Sequence, residues 1–180
     1  MLRALVFILS LVIIAPSYAE TSQKDVMIVV RTFSFLANPP TGMVDLAVVY
    51  DPSKPTSVED KENVYLTIDG GTQVGSILVR SIPVPITDID TLRKYHFILF
   101  TSDLDIAYVH EVNSLISDST VTMSTNLTYV REGDCVLGVI SEPKVRILVN
   151  SLALKKANLQ FLTTFRMIVT EVSTPTSSAQ

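Results

Sequence analysis

Apolar and polar positions along the chain fall into short blocks of two alternating kinds. Met43 to Tyr50 (MVDLAVVY) and His96 to Thr101 (HFILFT) are almost unbroken apolar runs, the pattern of strands covered on both faces of a sheet. Gln73 to Val84, which runs into the breakers Pro83 and Pro85, and Val121 to Thr125 read as two further strands. Helical signals lie between them. Ser57-Val58-Glu59-Asp60 has the form of a helix start, with the Ser57 hydroxyl placed to accept the Asp60 amide. Val64, Tyr65 and Ile68 then share a face until Gly70-Gly71. Asp88 to Lys94 reads as a short helix. Ser102-Asp103 opens a longer one, in which Leu104, Ala107, Tyr108, Val112, Leu115 and Ile116 recur at helical spacing.

Both ends of this region read differently. Val26 to Leu36 (VMIVVRTFSFL) is a strand by β-branched propensity and a helix by its length, and its periodicity does not choose between them. After a loop around Arg131-Glu132-Gly133, Asp134 to Ser141 and Lys144 to Asn150 are separated only by Glu142-Pro143, which predicts an antiparallel hairpin. Ser151 to Ala157 and Gln160 to Val172 read as helices. The alternation as a whole predicts an α/β fold: a three-layer α/β/α sandwich whose mostly parallel sheet carries the C-terminal antiparallel hairpin at its edge.

Met1-Leu2-Arg3, the apolar run Ala4 to Ala15 and the small residues Ser17 and Ala19 before Glu20 have the layout of a secretory signal peptide. The run is shorter than the ~20 residues a membrane span needs. The expected organisation is a leader over 1–19, a single domain over 20–172 and a disordered polar tail over 173–180, with export of the mature chain. At 180 residues the chain is long enough to bury a core without staples. Its 14 Lys and Arg against 18 Asp and Glu argue against a nucleic-acid partner. The single cysteine, Cys135, precludes an intramolecular disulfide and suits a buried strand position.

The search for chemistry yields no catalytic residue, no metal ligand set and no cofactor motif. Only His96 and His110 could serve as a base, and neither has a Ser, Cys or Asp at an activating spacing; His110 sits away from the Leu104–Ala107 stripe of its helix. The phosphate-loop patterns do not occur. Glu59, Asp60 and Glu62, with Lys61 among them, read as a solvated helix face. One place attracts a ligand hypothesis. Parallel α/β sheets take ligands outside the carboxyl ends of their strands, and here that edge would gather Asp51, Thr101, Ser102, Asp103, Thr125 and Asn126. The plainer alternative is capping and turn formation by the same residues. Phe33 and Phe35, beside the Pro39-Pro40 break, are candidates for a protein-contact surface, with core packing as the alternative.

From Lys24 onward the order of elements is similar to that of the YfiR-type family of periplasmic proteins. The likeness rests on Tyr95-His96-Phe97-Ile98-Leu99-Phe100, Val121-Thr122-Met123-Ser124 and Gly133 to Ile140. Its most telling part is Val145 to Ala153, with Asn150 matching a family position, followed by Ala157-Asn158-Leu159-Gln160-Phe161. The resemblance implies a non-enzymatic regulator that binds the periplasmic part of an inner-membrane diguanylate cyclase and represses it, controlling cyclic di-GMP and biofilm formation. It also implies a homodimer and sequestration by an outer-membrane lipoprotein. The disulfides of the best-understood branch have no counterpart here. Asn150 has a physical role in view regardless of family, as cap of the helix that starts at Ser151. The rival reading is a small-ligand-binding module that uses the strand-end pocket around Ser102.

Overall fold

The computed structural model describes residues 20–173. The expected leader and, Ser173 apart, the expected tail lie outside the described residues. Eight strands form one sheet. They are β1 (Gly42–Tyr50), β2 (Thr72–Val74), β3 (Ile77–Pro85), β4 (Phe97–Phe100), β5 (Val121–Ser124), β6 (Leu137–Ile140), β7 (Arg146–Asn150) and β8 (Thr170–Val172). The helices are α1 (Gln23–Thr32), α2 (Pro55–Ile68), α3 (Ile106–Leu115), α4 (Leu127–Arg131), α5 (Ser151–Lys156) and α6 (Thr163–Arg166), with 3-10 segments at Phe33–Phe35 and Ile86–Lys94.

The strand order is β2-β3-β1-β4-β5-β6-β7-β8. Its central five strands, β3-β1-β4-β5-β6, are parallel. The chain steps first to one side of β1 and then to the other, so the order reverses between β1 and β4. Along β1, Leu46 and Val48 enter one core with Val26, Val29 and Val30 of α1 and Val64 of α2. Ala47 and Val49 enter the other with Val109 and Val112 of α3 and Val130 of α4. Burial on both faces is the reason the strand is apolar without alternation. The result is a three-layer α/β/α arrangement with the antiparallel β6–β7 hairpin towards its C-terminal side.

The choice left open for Val26 to Leu36 falls to the helix: α1 and the 3-10 turn after it carry the chain to Phe35, and Val26, Val29, Val30 and Phe33, all buried, recur at the helical period. A capping box starts the helix: the Asp25 amide donates to Ser22 Oγ at 3.2 Å, and the Ser22 amide donates to Asp25 Oδ2 at 2.9 Å. Gln73 to Val84 is a hairpin rather than one strand, turning at Gly75 (φ +58°). Arg131, expected in a loop, is the last residue of α4, which Asn126 caps with its Oδ1 accepting from the Thr128 amide at 3.0 Å.

Gln160 to Val172, expected to be a helix, is not one. Phe161 bridges to Leu36 in antiparallel fashion, α6 is a single turn, and Thr170–Val172 pairs parallel with β7, so β8 extends the sheet beyond the hairpin. The supposed apolar stripe divides here, with Phe165 buried against Phe35 and Phe161, and Ile168 exposed. Phe33 is core, its ring 4.3 Å from that of Phe97, and Phe35 stacks on Phe165 at 4.9 Å. Core packing, the alternative to a contact surface, holds for Phe33, while Phe35 is only partly buried.

Helix α4 lies so close to β6 that a Cβ on Gly138 would stand 2.5 Å from Val130 Cγ2 and 2.8 Å from Leu127 Cδ2. Gly138→Ala should therefore destabilise the fold by roughly 1–3 kcal/mol, read as a lower midpoint in urea unfolding.

Candidate functional site

At the switch point, the carboxyl ends of β1 and β4 bring Asp51, Thr101 and Ser102 together, and the end of β5 adds Thr125 and Asn126. The sequence thus located these residues at one edge. The structure shows what they do there. Ser57 Oγ, on α2, accepts from the Asp51 amide at 2.8 Å and shares a 2.6 Å hydrogen bond with Thr101 Oγ1. Asp51 Oδ1 accepts from the Ser53 amide and hydroxyl at 2.8 and 2.6 Å. The Ser53 hydrogen bonds hold the Asp51 carboxyl below the usual range, against the opposing effect of burial. Asn126 Nδ2 donates to the Ser102 carbonyl at 2.9 Å. Asp103 lies at the rim, 3.5 Å from Lys54 Nζ. Expected caps shift accordingly: α2 starts at Pro55 rather than at a Ser57 cap, and α3 is capped by Asp105 in place of Ser102.

The residue that organises this edge is Asp60. It is fully buried, contrary to the reading of its acidic cluster as a solvated face. Its Oδ2 accepts from the Ser102 amide and its Oδ1 from the Thr21 amide, both at 2.6 Å. Thr21 is buried in turn and shares a 2.7 Å hydrogen bond with Thr125 Oγ1. A segment from the start of the described chain is thereby pinned across the strand ends, over the place a ligand would enter. The Ser102 hydroxyl is buried there with no hydrogen-bond partner among the described residues. The signal for Asp60 was its spacing with Ser57, Val64 and Ile68, the residues α2 buries.

The opposite end of the sheet carries a second ionisable pair that sequence reasoning missed. His110 Nδ1 lies 2.8 Å from Oδ1 of Asp134, whose side chain is inaccessible. Burial pushes the Asp134 carboxyl up to about 6, while the His110 imidazole draws it back down. Helical spacing could not show this contact, because Asp134 arrives from the loop before β6. Its neighbour Cys135 is fully buried and unpaired, and burial pushes its thiol upward. The Tyr129 phenol, also raised by burial, donates to the Leu104 carbonyl at 2.6 Å. Asn150 caps α5, its Oδ1 accepting from the Leu152 and Ala153 amides, and ties it to α4 through Nδ2 and the Val130 carbonyl at 2.9 Å.

Among the described residues no group of three or more His, Cys, Asp or Glu could hold a metal ion, and no helix is long and apolar enough to cross a membrane.

No protein-family model matches the chain, and no curated protein matches it. Solved structures do. The ABC domain from Streptococcus pneumonia, in complex with L-Trp, superposes with a TM-score of 0.61 at 11% identity, covering 85% of this chain and 62% of that one. A conserved domain protein from Vibrio cholerae O1 biovar El Tor gives 0.54 at 11% identity, covering 83% and 59%. The chain spans about three fifths of the length of each. At this identity the likeness shows the fold, an α/β domain of this layered type.

Two predictions follow from the two ends of the sheet. Asp60→Ala orphans two buried amides and should lower stability by about 2–5 kcal/mol, measured by chemical denaturation. Asp134 holds its proton in the folded state up to about 6 and loses it near its ordinary value, 3.8, when unfolded. Between those values the unfolded chain binds fewer protons, so this group makes stability fall as pH rises. Asp134→Asn should remove that fall. From pH 4 to 7 the variant should gain roughly 1–3 kcal/mol relative to the parent, a difference that unfolding curves at the two pH values will show.

Proposed function

We propose that this domain is a non-enzymatic periplasmic regulator acting by protein–protein contact, as the YfiR-type resemblance implies. The observation that carries the reading is the closure of the switch point. Doubly wound sheets take small ligands in the crevice there. In this chain Thr21 spans that crevice, fixed to Asp60 on one side and Thr125 on the other. Asp51, Thr101 and Asn126 spend their hydrogen bonds on the fold itself. The filling of that crevice favours a role played through the surface. Met167 and Ile168, beyond α6, are exposed apolar side chains, of the kind that contact surfaces use. The partner that the resemblance implies is an inner-membrane diguanylate cyclase, held inactive by binding, with an outer-membrane lipoprotein able to sequester the repressor and a second copy of the chain as a further partner.

A second reading, a periplasmic solute-binding module, is favoured by the likeness to a domain solved with L-Trp.

Loss of the protein should raise cellular cyclic di-GMP and biofilm mass, and a tagged form should co-purify an inner-membrane protein with a diguanylate cyclase domain. Cyclic di-GMP unchanged by the loss would overturn the regulator. Thermal stabilisation by L-Trp, combined with unchanged cyclic di-GMP, would establish the second reading in its place.

A further inference from the structure

Two helices on one side of the sheet carry the same pattern with opposite charge. On α1, Lys24, Met27, Ile28 and Arg31 stand at i, i+3, i+4 and i+7. On α2, Glu62, Tyr65, Leu66 and Asp69 stand at the same spacing, Asp69 being the residue that ends the helix. Each set forms one stripe. Its two charges lie roughly 10 Å apart along the helix axis, with two apolar side chains between them. The stripes border an open groove of about 640 Å³, which Lys24, Met27, Ile28 and Arg31 line together with Leu66. Leu66 is 62% and Tyr65 44% accessible, and all four charged residues are exposed.

The fold itself leaves most of these charges unanswered. Among the described residues Lys24, Arg31 and Asp69 make no ion pair, and Glu62 pairs with its neighbour Lys61. Lys24 lies in the first turn of α1 and Asp69 at the carboxyl end of α2, where each opposes its helix dipole. An anionic membrane does not suit the face. Such a surface is held by about four or more clustered cations, and Glu62 and Asp69 would be repelled by it. The face suits an acidic stripe laid on the basic one, and this chain carries both.

We propose that this face binds a second copy of the chain about a two-fold axis, α1 of each copy lying along α2 of the other. A two-fold contact requires one patch to fit itself, and two stripes of equal spacing and opposite charge do so. Lys24 and Arg31 face Glu62 and Asp69 of the second copy, once on each side of the axis. Met27, Ile28, Tyr65 and Leu66 close the centre, and the charges form the rim. The second copy in the reading above sits here, but the contact needs no cyclase, and a failure of cyclase control leaves it standing.

The test is analytical sedimentation of the purified protein. Two short helices per copy make a small interface and a weak association, so it is followed up to about 0.5 mM. The parent should form dimers that added salt weakens. Lys24→Glu with Arg31→Glu makes both stripes acidic, and Glu62→Lys with Asp69→Lys makes both basic. Each double variant should self-associate at least about tenfold more weakly than the parent, its rim attractions having become repulsions. An equimolar mixture of the two should recover dimers, because each stripe then meets its opposite. Leu66→Gln, at an exposed position, should weaken the parent dimer while the circular dichroism spectrum stays the same. A parent that remains monomeric over this range would overturn the proposal. So would a mixture no better associated than its components, or dimers that none of the variants weakens.

Discussion

One buried carboxylate ties together the upper end of this sheet. Asp60 accepts main-chain amides from Thr21 and Ser102, segments 81 residues apart that belong to no common strand or helix. Each of those amides is buried where water cannot serve it, so each needs a fixed acceptor. The position of Asp60 on α2 requires the helix to turn this face inward. That in turn places Ser57 against the Asp51 amide and Thr101. The cores on both faces of the sheet are apolar and accept hydrophobic exchanges that conserve volume. The Asp60 hydrogen bonds have direction as well as distance, and they fix where the connections at this edge run.

The central sheet was legible because its strands are buried on both faces and cannot alternate. Met43 to Tyr50 and His96 to Thr101 needed only a parallel sheet between two helical layers to account for their composition. The two ends were harder for different reasons. In Val26 to Leu36 a Ser22–Asp25 capping box, lying just outside the apolar run, outweighed β-branched propensity. In Gln160 to Val172 the pattern fitted a helix, yet Phe161, Phe165 and Val172 are claimed by three different partners: Leu36, Phe35 and β7. Those partners are distant in sequence, and no local pattern contains them.

The candidate site shows the same division. Sequence placed Asp51, Thr101, Ser102, Thr125 and Asn126 at one edge because connectivity alone does that in a doubly wound sheet. What fills the edge depended on Asp60 and Thr21. Asp60 was concealed among charged neighbours, although its spacing with Val64 and Ile68 matches the buried stripe. The pairing of His110 with Asp134 was out of reach of any local reading, since a helix and a remote loop bring them together.

Both borders of the sheet are made of short strands, Thr72–Val74 at one side and Thr170–Val172 at the other. At the first border β2 covers only Ile77 to Val79 of β3, and the remainder of β3 carries Pro83 and Pro85, which lack the N–H that an incoming strand from another molecule would need. Thr170 to Val172 also occupy the flank that β7 would otherwise leave open. The design disfavours fibre-like stacking of copies at high concentration and directs encounters towards the helical faces.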